Sequence, residues 1–294
     1  MALMLMPFRD VLSASVIGIT GYLARPDDVV ALARMIEHNL PVLSMFRNVI
    51  VATNFGGDEP STLAVAHTRL WRRYFPAAVF LDSPINRGHS IGASDLDNLL
   101  FNYCRSHDIP WLCKAANDIA LDPQVCDINV TPADFYYLNA VSYGALADAQ
   151  FDLQHVAATL FFPQTTFFVI NVAATDYLMD IDLLNRSWAI VNRIPQYDGR
   201  IWNHIPGWSC ERLLRLCVER NRLSRCHLMT DSQLRELLHM VQTHQIDDCS
   251  HKGISINGIC HAQGLADLGD AYVITGALDL ITDAPDQITG GSGS

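Results

Sequence analysis

Three short apolar runs, each ending in polar residues and separated by helix-like stretches, set the tightest limit on how this chain can fold. They are "NVIVATNF" at 48–55, "AAVFLDS" at 77–83 and "IPWLCKAAND" at 109–118. Runs of this length bounded by turn residues predict buried strands. "STLAVAHTRLWRRYF", with Ser61 as its predicted cap, and the stretch running to Cys104 fill the gaps with helical spacing. Strands joined by helical crossovers pair in parallel, and strands apolar on both faces need cover on both sides. The expectation is an α/β fold: a Rossmann-like, mostly parallel central sheet flanked by helices.

An earlier helix is predicted from Asp27, where Pro26 and two aspartates suit a first turn. Beyond Asp122 the pattern predicts helices over 132–139 and 144–160 and a strand over 165–173. A loop then leads into a helix, and further helices are predicted at "GWSCERLLRLCVERN" and "TDSQLRELLHMVQTH", the latter capped by Thr230 or Asp231. The chain divides into a helical extension (1–45), a first half (46–125), a second half (126–246), a glycine-rich tail (247–289) and a linker remnant (290–294).

Half of the 294 residues are hydrophobic, enough for a sizeable core. The formal charge of -11 argues against a broad nucleic-acid surface, while leaving room for a phosphate ligand. Eight cysteines without a CxxC pair read as reduced thiols in a cytoplasmic setting. The N-terminal apolar run lacks a basic start and is a poor signal peptide, and no run reaches the length of a membrane span.

Ligands of open α/β sheets sit beyond the carboxyl ends of the strands. Three such ends carry Thr53-Asn54, Asp82 and Asn117-Asp118. Between the second and third lies "SPINRGHSIGASDLDNLLFNYC". Its Gly88, Gly92, Ala93 and Ser94 allow backbone to approach a bulky ligand, and the following helix offers amide donors. Asp95 and Asp97 read as capping acids of that helix.

In this order the elements resemble the nucleotide-binding half of the GT-A glycosyltransferases. Asn86-Arg87-Gly88, followed by Gly92, Ala93 and Asn98, is similar to that family's Asn-x-Gly motif, and "VIVATNFGG" occupies the place of its nucleobase strand. The resemblance implies a GT-A-like fold and transfer of a sugar from a nucleotide-diphosphate donor to an acceptor. That acceptor could be a glycan, a small molecule, a protein or a modified nucleic-acid base. It implies Mn²⁺ or Mg²⁺ at the place of the acidic motif, although "WLCKAANDIAL" keeps Asp118 and substitutes Asn117 for a first carboxylate. It further implies His261, or else His251, as a metal ligand and Glu211 as the base of an inverting transfer. Trp208 would stack on a sugar or base, and Arg87 and Lys252 would contact the diphosphate. Thr53, Asn54, Asp82, Asn86, Gly88, Ala93 and Asn117 complete the expected donor site.

Three other readings stay open: a nucleotidyltransferase on a similar sheet, a dinucleotide-binding oxidoreductase and a non-catalytic protein on a degenerate scaffold. The first usually carries a basic residue in the loop after its first strand, which "TNFGGDEPS" lacks. The second rests on "VIGITGYLARPDD" at 16–28, which has only part of a GxGxxG turn.

Overall fold

The structure, a computed structural model, describes residues 5–83, 89–139, 161–191, 209–243, 253–262 and 272–274. Strands β1 (Met6–Pro7) and β7 (Asn129–Val130) form a small antiparallel pair. The main sheet has seven strands: β2 (Val16–Leu23), β3 (Val49–Phe55), β4 (Val79–Asp82), β5 (Trp111–Ala116), β8 (Phe135–Asn139), β9 (Pro163–Asn171) and β10 (Arg225–His227). Their order is β10-β8-β9-β5-β2-β3-β4. Only β9 runs against the others. The mixed α/β fold with a mostly parallel, helix-flanked sheet is therefore as the sequence led us to expect.

Helices α2 (Pro26–Leu43), α3 (Pro60–Tyr74) and α4 (His89–Ser106) make the crossovers β2–β3, β3–β4 and β4–β5. The chain first steps outward from β2 to β4 and then returns to the other side of β2. Right-handed crossovers must then place α4 on the face opposite α2 and α3. The core divides accordingly. Ile17, Ile19, Val49 and Val51 pack with Leu32 and Ile36 of α2. Val16, Ile50, Ala52 and Leu112 pack with Leu96, Leu100 and Phe101 of α4. Helices α5 (Ile181–Val191) and α6 (Cys210–Arg220) join the α4 face, and α7 (Asp231–Gln242) adds Leu234 and Leu237 to the other.

Several expectations need correction. The segment 16–23, which shares part of a phosphate turn's pattern, is an interior strand of the sheet paired to both β3 and β5. Phe135–Asn139 is strand rather than helix: all five residues are buried, between β9 and β10, so the run has no polar face for a helix to present to water. Helix α3 starts at Pro60, with Glu59 rather than Ser61 at its N-cap. Helix α4 starts at His89, so Gly92, Ala93 and Ser94 lie inside it and Asp95 and Asp97 are not caps. The expected helix 144–160 lies outside the described residues.

A second sheet orders β13 (Tyr272–Ile274), β11 (Ile254–Ile256), β12 (Ile259–His261) and β6 (Ile119–Leu121). Strand β6 follows β5 directly, so this sheet begins where the main sheet ends. Asn39 of α2 holds β6 from both sides, accepting from Leu121 N and donating to Ile119 O, each at 2.7 Å.

Candidate functional site

The turn of topology lies between β2 and β5, where ligands of doubly wound sheets bind. In register, Ala116, Thr20 and Ala52 stand side by side, and Thr53 stands beside Asp82. The polar ends of β3, β4 and β5 thus share one edge of the sheet. Asn117 N donates to Thr20 O at 2.7 Å, and the Asn117 side chain lies against Gly21, where any Cβ would fall 2.3 Å from Nδ2. The amide Nδ2 of Asn117 is buried without a partner, as is Oδ1 of Asn54. Unmet buried polar atoms are rare in folded proteins. A donor and an acceptor left open at the ends of β5 and β3, on either side of β2, suit a ligand bearing both kinds of group.

Strand alternation sends Thr53 and Asn54 to opposite faces. Thr53 faces α3, where its hydroxyl lies 3.3 Å from His67 Nε2, which also accepts from Trp71 Nε1 at 3.0 Å. Burial lowers the His67 pKa to about 4. The structure therefore ties Thr53 to the α3 packing and leaves Asn54 at the tip. Tyr22, the register partner of Asn54, is 48% exposed, with its ring over Gly56.

Asp118 leaves β5 and meets His261 of β12, Oδ2 to Nε2 at 3.0 Å. Backbone pairing sets this contact: His261 is in register with Ile119, and Ala262 N donates to Asp118 O at 2.9 Å. Burial raises the Asp118 pKa, but the His261 hydrogen bond and charge, its own backbone and the Lys114 cation together hold it below the usual carboxylate value. The β11–β12 turn, Asn257 and Gly258 with φ of 52° and 82°, is fixed by Asn257 Nδ2 donating to Leu228 O at 2.7 Å and Gln233 Nε2 donating to Asn257 Oδ1 at 2.9 Å. A Cβ on Gly258 would sit 2.6 Å from Gln124 Cγ and 2.9 Å from Val125 N. Gly258→Ala is therefore expected to destabilise the protein by about 1–3 kcal/mol and to speed amide exchange at Ala262. An unchanged Tm and exchange rate would show that the turn does not hold His261.

On the α4 face of the same edge lies Lys114, only 3% exposed in β5. Its ammonium lies 3.5 Å from Asp97 Oδ1 of α4 and donates to Thr165 O of β9. Asp97 is fully enclosed. Burial raises its pKa to about 6, the Lys114 charge opposes the rise and the Glu211 charge adds to it. Glu211, in the first turn of α6, accepts from Thr165 Oγ1 and from Cys210 Sγ, both at 3.2 Å and both on Oε1. Ser209 caps that helix, accepting from Arg212 N at 3.4 Å.

Of the two residues expected to be catalytic, Glu211 is reached from Lys114 through Thr165, and Asp118 pairs with His261. Lys114, Thr165 and Tyr22 were missed by sequence reasoning, and Asp97 was taken for a cap. One signal was available: a lysine inside the apolar run "WLCKAA" needs a buried partner. Ala93 is partly buried within α4 and Asp82 ends β4. Asn86, Arg87, Gly88, Trp208, His251 and Lys252 lie outside the described residues.

The Asp118–His261 pair fits a divalent ion in one respect and limits it in another. A carboxylate and an imidazole are donors such an ion accepts, and they lie within reach of each other, joined by a hydrogen bond that a bound ion would replace. Among the described residues, however, no group of three or more His, Cys, Asp or Glu side chains converges. Two protein ligands suit Mg²⁺ or Mn²⁺ that keeps waters and takes phosphate oxygens from a substrate.

No protein-family model matches this chain, and no curated protein does. Several solved structures are distantly similar to it. A galactosyltransferase, LgtC, in complex with donor and acceptor sugar analogs is 12% identical over 85% of this chain and 88% of its own, with a TM-score of 0.41. A cytidylyltransferase from Leptospira borgpetersenii serovar Hardjo-bovis is 11% identical over 71% and 72%, with a TM-score of 0.31. A glycosyltransferase involved in glycosylation of the major capsid of PBCV-1 is 9% identical over 64% and 78%, with a TM-score of 0.26. Similarity at this level carries no argument about fold or chemistry. Among the described residues, no helix is long and apolar enough to cross a membrane.

Proposed function

We propose that this chain is a GT-A-type glycosyltransferase that moves a sugar from a nucleotide-diphosphate donor to an acceptor hydroxyl with the help of a divalent metal. One observation carries the reading: at the edge of the sheet where the topology turns, Asp118 leaves β5 paired to His261, and Lys114 of the same strand meets Asp97 and, through Thr165, Glu211. Tyr22 offers a ring face to a nucleobase beside the open amides of Asn54 and Asn117. A divalent ion held by Asp118 and His261 would offset charge on the diphosphate as the nucleotide departs.

Glu211 is the base. Both of its hydrogen bonds fall on Oε1, so its orientation is set while Oε2 remains for the acceptor hydroxyl. Removal of that proton makes the acceptor oxygen a nucleophile on the face of the sugar opposite the leaving diphosphate, and the configuration inverts.

The test is a thermal-shift panel of UDP-, GDP-, CDP- and dTDP-sugars with Mn²⁺, Mg²⁺ or EDTA. A ligand at 100 times its Kd adds about 2.7 kcal/mol, a rise of several degrees. Asp118→Asn is expected to remove the metal-dependent part of that rise. A panel without any shift would defeat the proposal, and an unchanged shift in Asp118→Asn would take Asp118 out of the site.

A further inference from the structure

The Lys114–Asp97 pair is unusual for its place. Lys114 lies between Cys113 and Ala115, both buried, and Asp97 shares α4 with buried Leu96, Leu100 and Phe101. The ion pair is long at 3.5 Å, and neither oxygen of Asp97 takes a hydrogen bond. Desolvating two charges for so loose a contact gains little, and buried pairs of this kind are often replaced by apolar residues at no loss of stability. Stability therefore does not account for it.

The ammonium has other work within reach. It donates to the carbonyl of Thr165, and the hydroxyl of the same residue donates to Glu211 Oε1 at 3.2 Å. Cys210 Sγ closes the group, 3.4 Å from Thr165 Oγ1 and 3.2 Å from Glu211 Oε1. We propose that Lys114 is a positioning residue: it holds Thr165, and through it the orientation of Glu211, with Asp97 as the counter-ion that keeps the ammonium there. The inference rests on the proposed reading of Glu211 as base.

The variants Asp97→Leu/Lys114→Met and Asp97→Asn/Lys114→Met remove both charges, the second keeping a polar group in case the first fails to fold. In whichever variant retains a cooperative melt, iodoacetamide labelling is followed peptide by peptide. Cys210 is expected to label at least about fivefold faster than in wild type, while Cys104 and Cys113, in α4 and β5 themselves, stay unchanged. Uniform change, or none at Cys210, overturns the positioning role. If wild type responds to no nucleotide sugar but Cys210 labelling still rises in the paired variant, the transferase reading fails and the Lys114–Thr165–Glu211 linkage stands.

Discussion

Glu211→Gln is expected to lower sugar transfer by about two to four orders of magnitude while leaving donor binding intact. The amide keeps an oxygen that accepts from Thr165 Oγ1 and Cys210 Sγ, so the side chain stays in place. What it loses is the ability to take a proton. The donor-dependent thermal shift should match wild type, and product formation with a competent acceptor should nearly vanish. A variant that keeps more than about a tenth of the wild-type rate would exclude Glu211 as the base. Loss of both transfer and donor binding would instead show that Glu211 shapes the donor site.

Two buried groups are expected to oppose each other in the pH dependence of stability. His67, 3% exposed, has its pKa lowered from 6.5 to about 4. Its neutral form stabilises the fold fully above pH 6.5, and that contribution is lost as pH falls toward 4, by about 3 kcal/mol. Asp97 behaves in the opposite sense. Its pKa is raised from 3.8 to about 6, so the folded state binds its proton first, and stability is gained as pH falls through that window, again by about 3 kcal/mol. The two slopes nearly cancel, and wild-type stability should be close to flat between pH 4 and 6.5 as far as these groups decide it. Asp97→Asn removes one of them. Denaturant titrations of that variant should show an acid loss of about 3 kcal/mol over this range. His67→Asn should show the reverse, becoming relatively more stable toward pH 4. Parallel pH profiles for wild type and both variants would contradict the burial assigned to these side chains.

The strands β3, β4 and β5 and the helices between them were legible because each shows its character within a few consecutive residues. Strand β2 was not, since "VIGITGYL" mixes glycines with apolar residues and reads equally as a phosphate turn. Phe135–Asn139 opens with four large aromatic and aliphatic residues in a row, and such a run has no period by which strand and helix can be told apart. Strands β10, β11 and β12 are each three residues long. These elements exist because a sheet edge was available to them, which local pattern does not reveal.

The site divides along the same line. Asp118 and Glu211 were visible as acids at a strand end and a helix start, and His261 as a candidate ligand. Their relation was not. Asp118 and His261 meet through the pairing of β6 with β12, and Lys114 reaches Asp97 and Thr165 because β5 lies under α4 and beside β9. The amino-acid sequence alone determined the layered α/β character, since hydrophobic period and turn residues act over short range. Only the tertiary structure decided which charges face one another. Electrostatic partners are chosen by distance in space, and the sheet order that sets those distances is settled by packing of the whole chain.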